Sequence, residues 1–84
     1  MSGTAIARTV LPTHIRSGLT YRFWYTNWEG KRGYYTGQMI HFWSGSTTWH
    51  PDHQLLVNMY TKKGYRDFAC NSIEWDTFER APDL

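Results

Sequence analysis

Residues 49–68 decide the fold, and they read WHPDHQLLVNMYTKKGYRDF. A polar segment that contains a proline leads into a largely apolar run over residues 54–60. A Lys-Lys-Gly turn follows, and a short run centred on Arg66 and Phe68 returns after it. The apolar run is about seven residues long, which is too short for a stable isolated helix and ordinary for a strand. This pattern predicts a β-hairpin.

The composition limits the size and chemistry of the core. The chain has 84 residues, enough for one domain that buries roughly 60 to 65% of the surface its unfolded chain exposes. Aromatic residues make up 18% of the chain, so large rings are expected to supply much of the core. The single cysteine, Cys70, excludes an intramolecular disulfide and a zinc site with several thiolates.

Charge and hydropathy bear on partners and location. The formal net charge of +2 permits an anionic partner without demanding one. The mean hydropathy is -0.62, and no apolar run approaches the roughly 18 to 20 residues that a membrane span needs. The first residues lack a charged segment followed by an apolar one. We therefore expect a cytoplasmic protein with no membrane contact.

Two strands are predicted before the hairpin. Residues 19–26 alternate with a period of two, with Leu19, Tyr21, Phe23 and Tyr25 on the apolar parity. A glycine-containing turn over residues 27–33 leads to a second strand at 34–42. The following loop, residues 43–51, has a tryptophan near each end, so we expect it to pack against the protein.

The end of the chain completes the predicted topology. Residues 73–78 are expected to form a short final strand, although Ser72 could instead cap a single helical turn. About five short antiparallel strands predict an all-β fold that closes into a small β-barrel, since closure protects strand edges. The barrel domain is expected at residues 19–78, between a flexible N-terminal arm at 1–18 and a polar tail at 79–84.

Three segments carry a family resemblance. They read YTNWEG at residues 25–30, GSTTWHPDHQLL at 45–56 and KGYRDFA at 63–69, and they resemble small standalone bacterial and phage proteins of the WYL-domain kind. The resemblance implies an SH3-like or Sm-like barrel that senses a ligand or nucleic acid in transcriptional regulation. The Trp-Tyr-Leu tripeptide that names the family falls on Gln54-Leu55-Leu56. Of two family arginines, Arg66 matches, whereas the second falls near Ser72.

Arg66 is the leading candidate for ligand binding. In a strand it shares one face with Phe68, and a guanidinium beside aromatic rings can hold a phosphate or stack on a base. Nearby positive charge is expected from Arg22, Lys62 and Lys63, and from Lys31 and Arg32 in the first turn. The alternative is a structural ion pair between Arg66 and either Asp67 or Glu74.

Two tryptophans join this predicted site. Trp24 lies on the mixed parity of its strand and Trp28 lies in a turn, so both are candidates for exposed rings that stack on bases. Exposed tryptophans equally mark protein contacts, including contacts between copies of one chain. The predicted ligand-binding residues are therefore Arg66, Phe68, Trp24, Trp28, Arg22, Lys62 and Lys63.

Metal and catalytic sites are less favoured by the pattern. His50, Asp52 and His53 offer zinc ligands, but the spacing equally suits a turn whose histidines bond to the backbone or water, so we predict no metal and no cofactor. Asp52 and Asp67 could act as paired acids, yet no nucleophile accompanies them, and we expect no enzymatic activity.

Two functions follow for this non-enzymatic chain. The first is a WYL-like module that binds a nucleotide-type or single-stranded nucleic-acid ligand in bacterial or phage regulation. The alternative is a protein-interaction module that uses exposed tryptophans, for example a phage-encoded inhibitor of a host protein.

Overall fold

The fold is a five-stranded antiparallel sheet, seen in a computed structural model that describes residues 15–83. The strands are β1 (Thr20–Thr26), β2 (Arg32–Gly45), β3 (Gln54–Thr61), β4 (Gly64–Ala69) and β5 (Glu79–Arg80). Their order across the sheet is β4-β3-β2-β1-β5. Two short 3₁₀ helices, Cys70–Ser72 and Trp75–Thr77, connect β4 to β5. The predicted all-β class is confirmed.

The hairpin predicted from residues 49–68 is formed by β3 and β4. Thr61 pairs with Gly64 across the turn and Met59 pairs with Arg66 further along the ladder. Gly64 has a φ of 105°, a left-handed conformation that favours glycine. The Lys-Lys-Gly signal therefore identified the turn correctly.

The sheet does not close into the expected barrel. β4 and β5 are both edge strands, and β5 pairs with β1 at Tyr21 and Arg22. An isolated bridge between Tyr25 and Ile73 also joins β1 to the segment after β4. Within residues 15–83 no ladder pairs β4 with β1, and a gap separates the first half of β4 from the end of β1.

The final strand lies later in the chain than predicted. Residues 73–78 contain the second 3₁₀ helix instead of a strand, and Glu79–Arg80, in the predicted tail, form β5. The Thr77 hydroxyl accepts a hydrogen bond from the Trp24 backbone N–H at 2.9 Å and donates to the Glu74 carbonyl at 2.6 Å. These bonds of Thr77 hold the second 3₁₀ helix against β1. The alternation of residues in the sequence did not indicate this contact.

Residues 1–14 of the predicted N-terminal arm lie outside the described residues. Of the remaining four, Ile15 packs against the core and the Gly18 N–H donates to the Met39 carbonyl at 2.8 Å. Residues 15–18 thus lie against the sheet.

Aromatic rings from four parts of the chain fill the core. Phe23 is fully buried, and its ring centroid lies 5.1 Å from that of Phe68 and 5.2 Å from that of Phe78. The apolar parity predicted for β1 is confirmed, since Tyr21 and Tyr25 are also buried. A register shift between Met39 and His41 in β2 changes the parity, so strict alternation does not hold along that strand.

Candidate ligand-binding clefts around Arg66

The Arg66 side chain lies on the core side of β4, above aromatic rings. Its guanidinium carbon is 5.1 Å from the ring centroid of Tyr35 and 5.3 Å from that of Phe68. These distances are typical of cation–π contacts. Phe68 has no exposed surface, so it supports Arg66 from below and does not itself offer a surface to a ligand.

Arg66 does not form the ion pair considered as its structural alternative. Asp67 Oδ1 accepts hydrogen bonds from Trp43 Nε1 at 2.9 Å and from Asn58 Nδ2 at 3.0 Å. Glu74 is held by Arg32, whose Nε and Nη2 lie 2.6 and 2.9 Å from its carboxylate oxygens. Within residues 15–83 the ion pairs are Arg32–Glu74 and Arg22–Glu79. In that part of the chain, Arg66 has no carboxylate partner.

Arg66 separates two clefts, and the first cleft holds about 400 Å³. The ring centroids of Trp28 and Trp49 are 5.3 Å apart at this cleft, and the two residues are 56% and 58% exposed. The first cleft is lined by Tyr25, Asn27, Trp28, Thr47, Trp49, His50, Tyr65, Arg66 and Asp67.

Local hydrogen bonds shape the first cleft. The Asn27 side-chain oxygen accepts the backbone N–H groups of Glu29 and Lys31, both at 2.9 Å, which fixes the turn that carries Trp28. In the next loop the Thr47 hydroxyl accepts the His50 N–H at 3.0 Å. Both loops are therefore held by their own polar side chains.

Tyr25 connects these loops to β4. Its hydroxyl accepts the Ala69 backbone N–H at 3.0 Å and lies 3.3 Å from His50 Nε2. Burial raises the pKa of Tyr25 above its ordinary value, so the phenol stays protonated at neutral pH. The tyrosine thereby forms the base of the first cleft, between β1, β4 and the loop after β2.

The second cleft, on the other side of Arg66, holds about 310 Å³. It is lined by Tyr34, Tyr35, Thr36, Thr61, Lys62, Lys63 and Arg66. Three of these residues are cations and none of the lining residues is acidic. The structure thus brings Lys62 and Lys63 together with Arg66 at one cleft.

Trp24 and Arg22 lie away from these clefts. The Trp24 ring packs on Tyr34 at a centroid distance of 5.1 Å, and the Arg32 guanidinium carbon lies 4.1 Å from the Trp24 ring centroid. Arg22 Nε is 2.7 Å from the Glu79 carboxylate. The side chains of Trp24 and Arg22 are therefore engaged with neighbours on the outer face of β1.

The predicted ligand-binding residues do not include most of the cleft residues, among them Tyr34, Tyr35, Trp49 and His50. Tyr34 and Tyr35 follow the first turn, whereas Trp49 and His50 belong to the loop after β2. Trp43 and Trp49, near the two ends of the loop predicted at residues 43–51, indicated that this segment packs down, although residues 43–45 belong to β2. The sequence pattern did not indicate that the loop after β2 lies opposite β4.

The residues that the sequence offered as metal ligands do not form a cluster of three. Among residues 15–83, no three His, Cys, Asp or Glu side chains come together as a metal site would require. His50 lies against Tyr25, while Asp52 and His53 are exposed.

The described residues thus form a small antiparallel β protein whose clefts flank one arginine. No helix within residues 15–83 has both the length and the apolar character needed to cross a membrane. No family model matches the chain, and searches of curated proteins and of solved structures returned no match.

Proposed function

We propose that this chain is a non-enzymatic binding module for a nucleotide-type ligand, with Arg66, Lys62 and Lys63 as its phosphate-binding groups. In keeping with the WYL-domain resemblance of its sequence, the module acts in the cytoplasm in bacterial or phage regulation. The observation that carries the proposal is the second cleft, where three cations converge without an acidic residue.

Arg66 supplies the directional part of the proposed site. A guanidinium offers paired N–H donors that match phosphate oxygens, and that of Arg66 has no carboxylate partner within residues 15–83. The contacts with Tyr35 and Phe68 orient the group before a ligand arrives, which limits the entropy lost on binding.

Tyr35 supplies a surface for the ring of a nucleotide. It is half-buried, lies against Arg66 and lines the second cleft beside the lysines. Base stacking on an aromatic side chain contributes about 1 to 3 kcal/mol in single-strand binders. A phosphate at Arg66 with a base near Tyr35 is therefore the arrangement that we propose.

The test compares ligand binding by charge-matched variants. Nucleoside mono-, di- and triphosphates, cyclic nucleotides and a ten-residue deoxythymidine oligonucleotide are titrated while tryptophan fluorescence and thermal unfolding are measured. Bound ligand at 100 times its Kd adds about 2.7 kcal/mol of stability. We expect Arg66→Gln and Lys62→Gln/Lys63→Gln to weaken binding at least tenfold.

The matched control is Arg16→Gln/Lys31→Gln, which also removes two exposed positive charges. Neither Arg16 nor Lys31 lines the first or the second cleft. Equal losses in the two double variants would show that net charge alone attracts the ligand and would refute the proposed site. Binding of the oligonucleotide without binding of nucleotides would assign the cleft to single-stranded nucleic acid. No thermal shift with any of these ligands would reject the proposal.

A protein-interaction module is the second candidate function. It is favoured by the exposed Trp28 and Trp49 pair in the first cleft, because aromatic residues are enriched where protein interfaces bind most tightly.

A further inference from the structure

We infer that the first cleft binds an extended acidic peptide from a partner protein, which adds a strand to the free edge of β4. This inference specifies the second candidate function and does not depend on nucleotide binding in the second cleft. Three properties of the first cleft, as the described part of the chain forms it, support this inference. They are backbone groups without a partner in residues 15–83, a facing pair of tryptophans, and an arginine without a carboxylate partner in the same residues.

The backbone of β4 leaves its outer groups available. Within residues 15–83, β4 pairs with β3 on one side only. The Ala69 N–H points away from β3, since it donates to the Tyr25 hydroxyl. Backbone direction alternates along an antiparallel strand, so the groups of Asp67 and Tyr65 point outward as well. Neither residue takes part in the backbone hydrogen bonds outside the ladders among residues 15–83.

The free edge faces the first cleft. Three consecutive edge residues, Tyr65, Arg66 and Asp67, form one wall of that cleft, and the loops that carry Trp28 and Trp49 form the other. A strand edge opposite an aromatic wall suits an extended chain, whose backbone bonds to the edge while its side chains enter pockets.

The unpaired guanidinium of Arg66 favours an acidic group opposite it. Among the described residues that line the first cleft, Arg66 is the one arginine or lysine, and a carboxylate of the peptide would give it the partner that residues 15–83 do not supply. Asp67 also lines this cleft, but its Oδ1 accepts hydrogen bonds from Trp43 and Asn58, and it forms no ion pair with Arg66 within residues 15–83. An apolar side chain next to the carboxylate would cover the rings of Trp28 and Trp49.

Arg66 is shared by the two clefts. Because this side chain lines both clefts, a carboxylate of the peptide and a phosphate of a nucleotide compete for the same guanidinium. Peptide capture is then reduced by nucleotide binding, and each ligand weakens the other by the same factor.

The experiment uses a randomised octapeptide library and, as a defined probe, a blocked peptide of alternating valine and threonine with a central glutamate. Its glutamine twin is the control peptide. We expect the glutamate peptide to bind at least tenfold more tightly and to shift the amide resonances of Tyr65 and Asp67. Equal affinity of the two peptides would overturn the acidic assignment.

A proline substitution tests the edge itself. Tyr65→Pro removes one outward N–H, while Tyr65→Ala removes the same side chain and keeps the donor. We expect Tyr65→Pro to bind the peptide at least tenfold more weakly than Tyr65→Ala, with both variants folded by thermal unfolding. If the proline variant is unfolded, methylation of successive peptide nitrogens replaces it, and loss of binding at alternate positions is expected.

Three results would reject strand addition. They are equal binding by the two Tyr65 variants, uniform tolerance of peptide methylation, and the absence of any library peptide that binds. A concentration-dependent dimer that Tyr65→Pro disrupts would assign the edge to a second copy of this chain instead. Nucleotide binding is measured in parallel: its loss in Lys62→Gln/Lys63→Gln without loss of peptide binding separates the two proposals.

Discussion

The guanidinium carbon of Arg66 lies 5.1 Å from the centroid of the Tyr35 ring, although β3 separates their strands in the sheet. The guanidinium therefore lies against a ring from a strand that is not its neighbour in the sheet. Arg66 also lines both clefts. It is the residue through which we propose that the two clefts are coupled.

Replacement of Arg66 is expected to separate stability from binding. Arg66→Met keeps an unbranched apolar chain and loses the cation–π contacts, so the free energy of unfolding should fall by about 0.5 to 1 kcal/mol. Arg66→Lys keeps the charge but loses the paired donors, so nucleotide affinity should fall at least tenfold with little change in stability. Urea unfolding and calorimetric titration provide the two readouts. Wild-type affinity in Arg66→Lys would show that a point charge is sufficient.

The bond from Trp43 to Asp67 is expected to hold β2 against the edge strand. Trp43→Phe removes the Nε1 donor 2.9 Å from the Asp67 carboxylate and should cost about 1.5 to 3 kcal/mol, the range for hydrogen bonds to charged groups. A double-mutant cycle with Asp67→Asn, measured by urea unfolding, isolates their interaction. Additive effects of the two substitutions would show that this bond contributes little. Trp24→Phe provides a tryptophan control on β1.

Phe78 should be essential although it lies outside the main strands. Its side chain is buried, and its ring centroid lies 5.0 Å from Tyr21 and 4.9 Å from Trp75. Phe78→Ala is expected to cost about 3 to 5 kcal/mol, out of roughly 4 to 13 kcal/mol for a chain of this size. Thermal unfolding should show a large loss, whereas Leu55→Ala at an exposed position should change little. Similar melting of both variants would contradict the packing described.

The Cys70 thiol should be unreactive in the folded protein. Burial raises its pKa to about 11, so at pH 8 only about one thiol in a thousand is ionised, and the thiolate is the reactive form. Iodoacetamide modification followed by mass spectrometry should be slow in buffer and rapid in denaturant. Equal rates under the two conditions would show that Cys70 is accessible in the native state.

The Arg32–Glu74 pair should affect stability on the acid side. The hydrogen bond from Arg32 holds the pKa of Glu74 below its ordinary value. Its contribution is therefore present above the unfolded pKa, near about 4.3, and is lost as the pH falls through the lower folded value. Glu74→Gln should show a shallower decrease in the urea midpoint between pH 6 and pH 3. The exposed Glu29→Gln serves as the control, and identical slopes in the two variants would refute the linkage.

Local patterns predicted much of the sheet. The period of two in residues 19–26 identified β1 and its buried face, and the Lys-Lys-Gly signal located the turn before β4. Residues 73–78 were misplaced because Ile73 and Trp75 alternate with acidic residues yet belong to a segment docked by Thr77 on β1. That docking depends on a partner more than 50 residues away, which alternation does not encode.

Local spacing along the chain was enough to predict an antiparallel all-β fold in which Arg66 and Phe68 share one strand face, because side-chain direction in a strand depends only on that spacing. The pairing of charges depends instead on contacts between distant parts of the chain. The tertiary structure paired Glu74 with Arg32, satisfied Asp67 through Trp43, and left Arg66 without a carboxylate within residues 15–83. These partners lie 24 to 42 residues apart, so their contacts follow from sheet order and the packing of loops, not from neighbours in the chain.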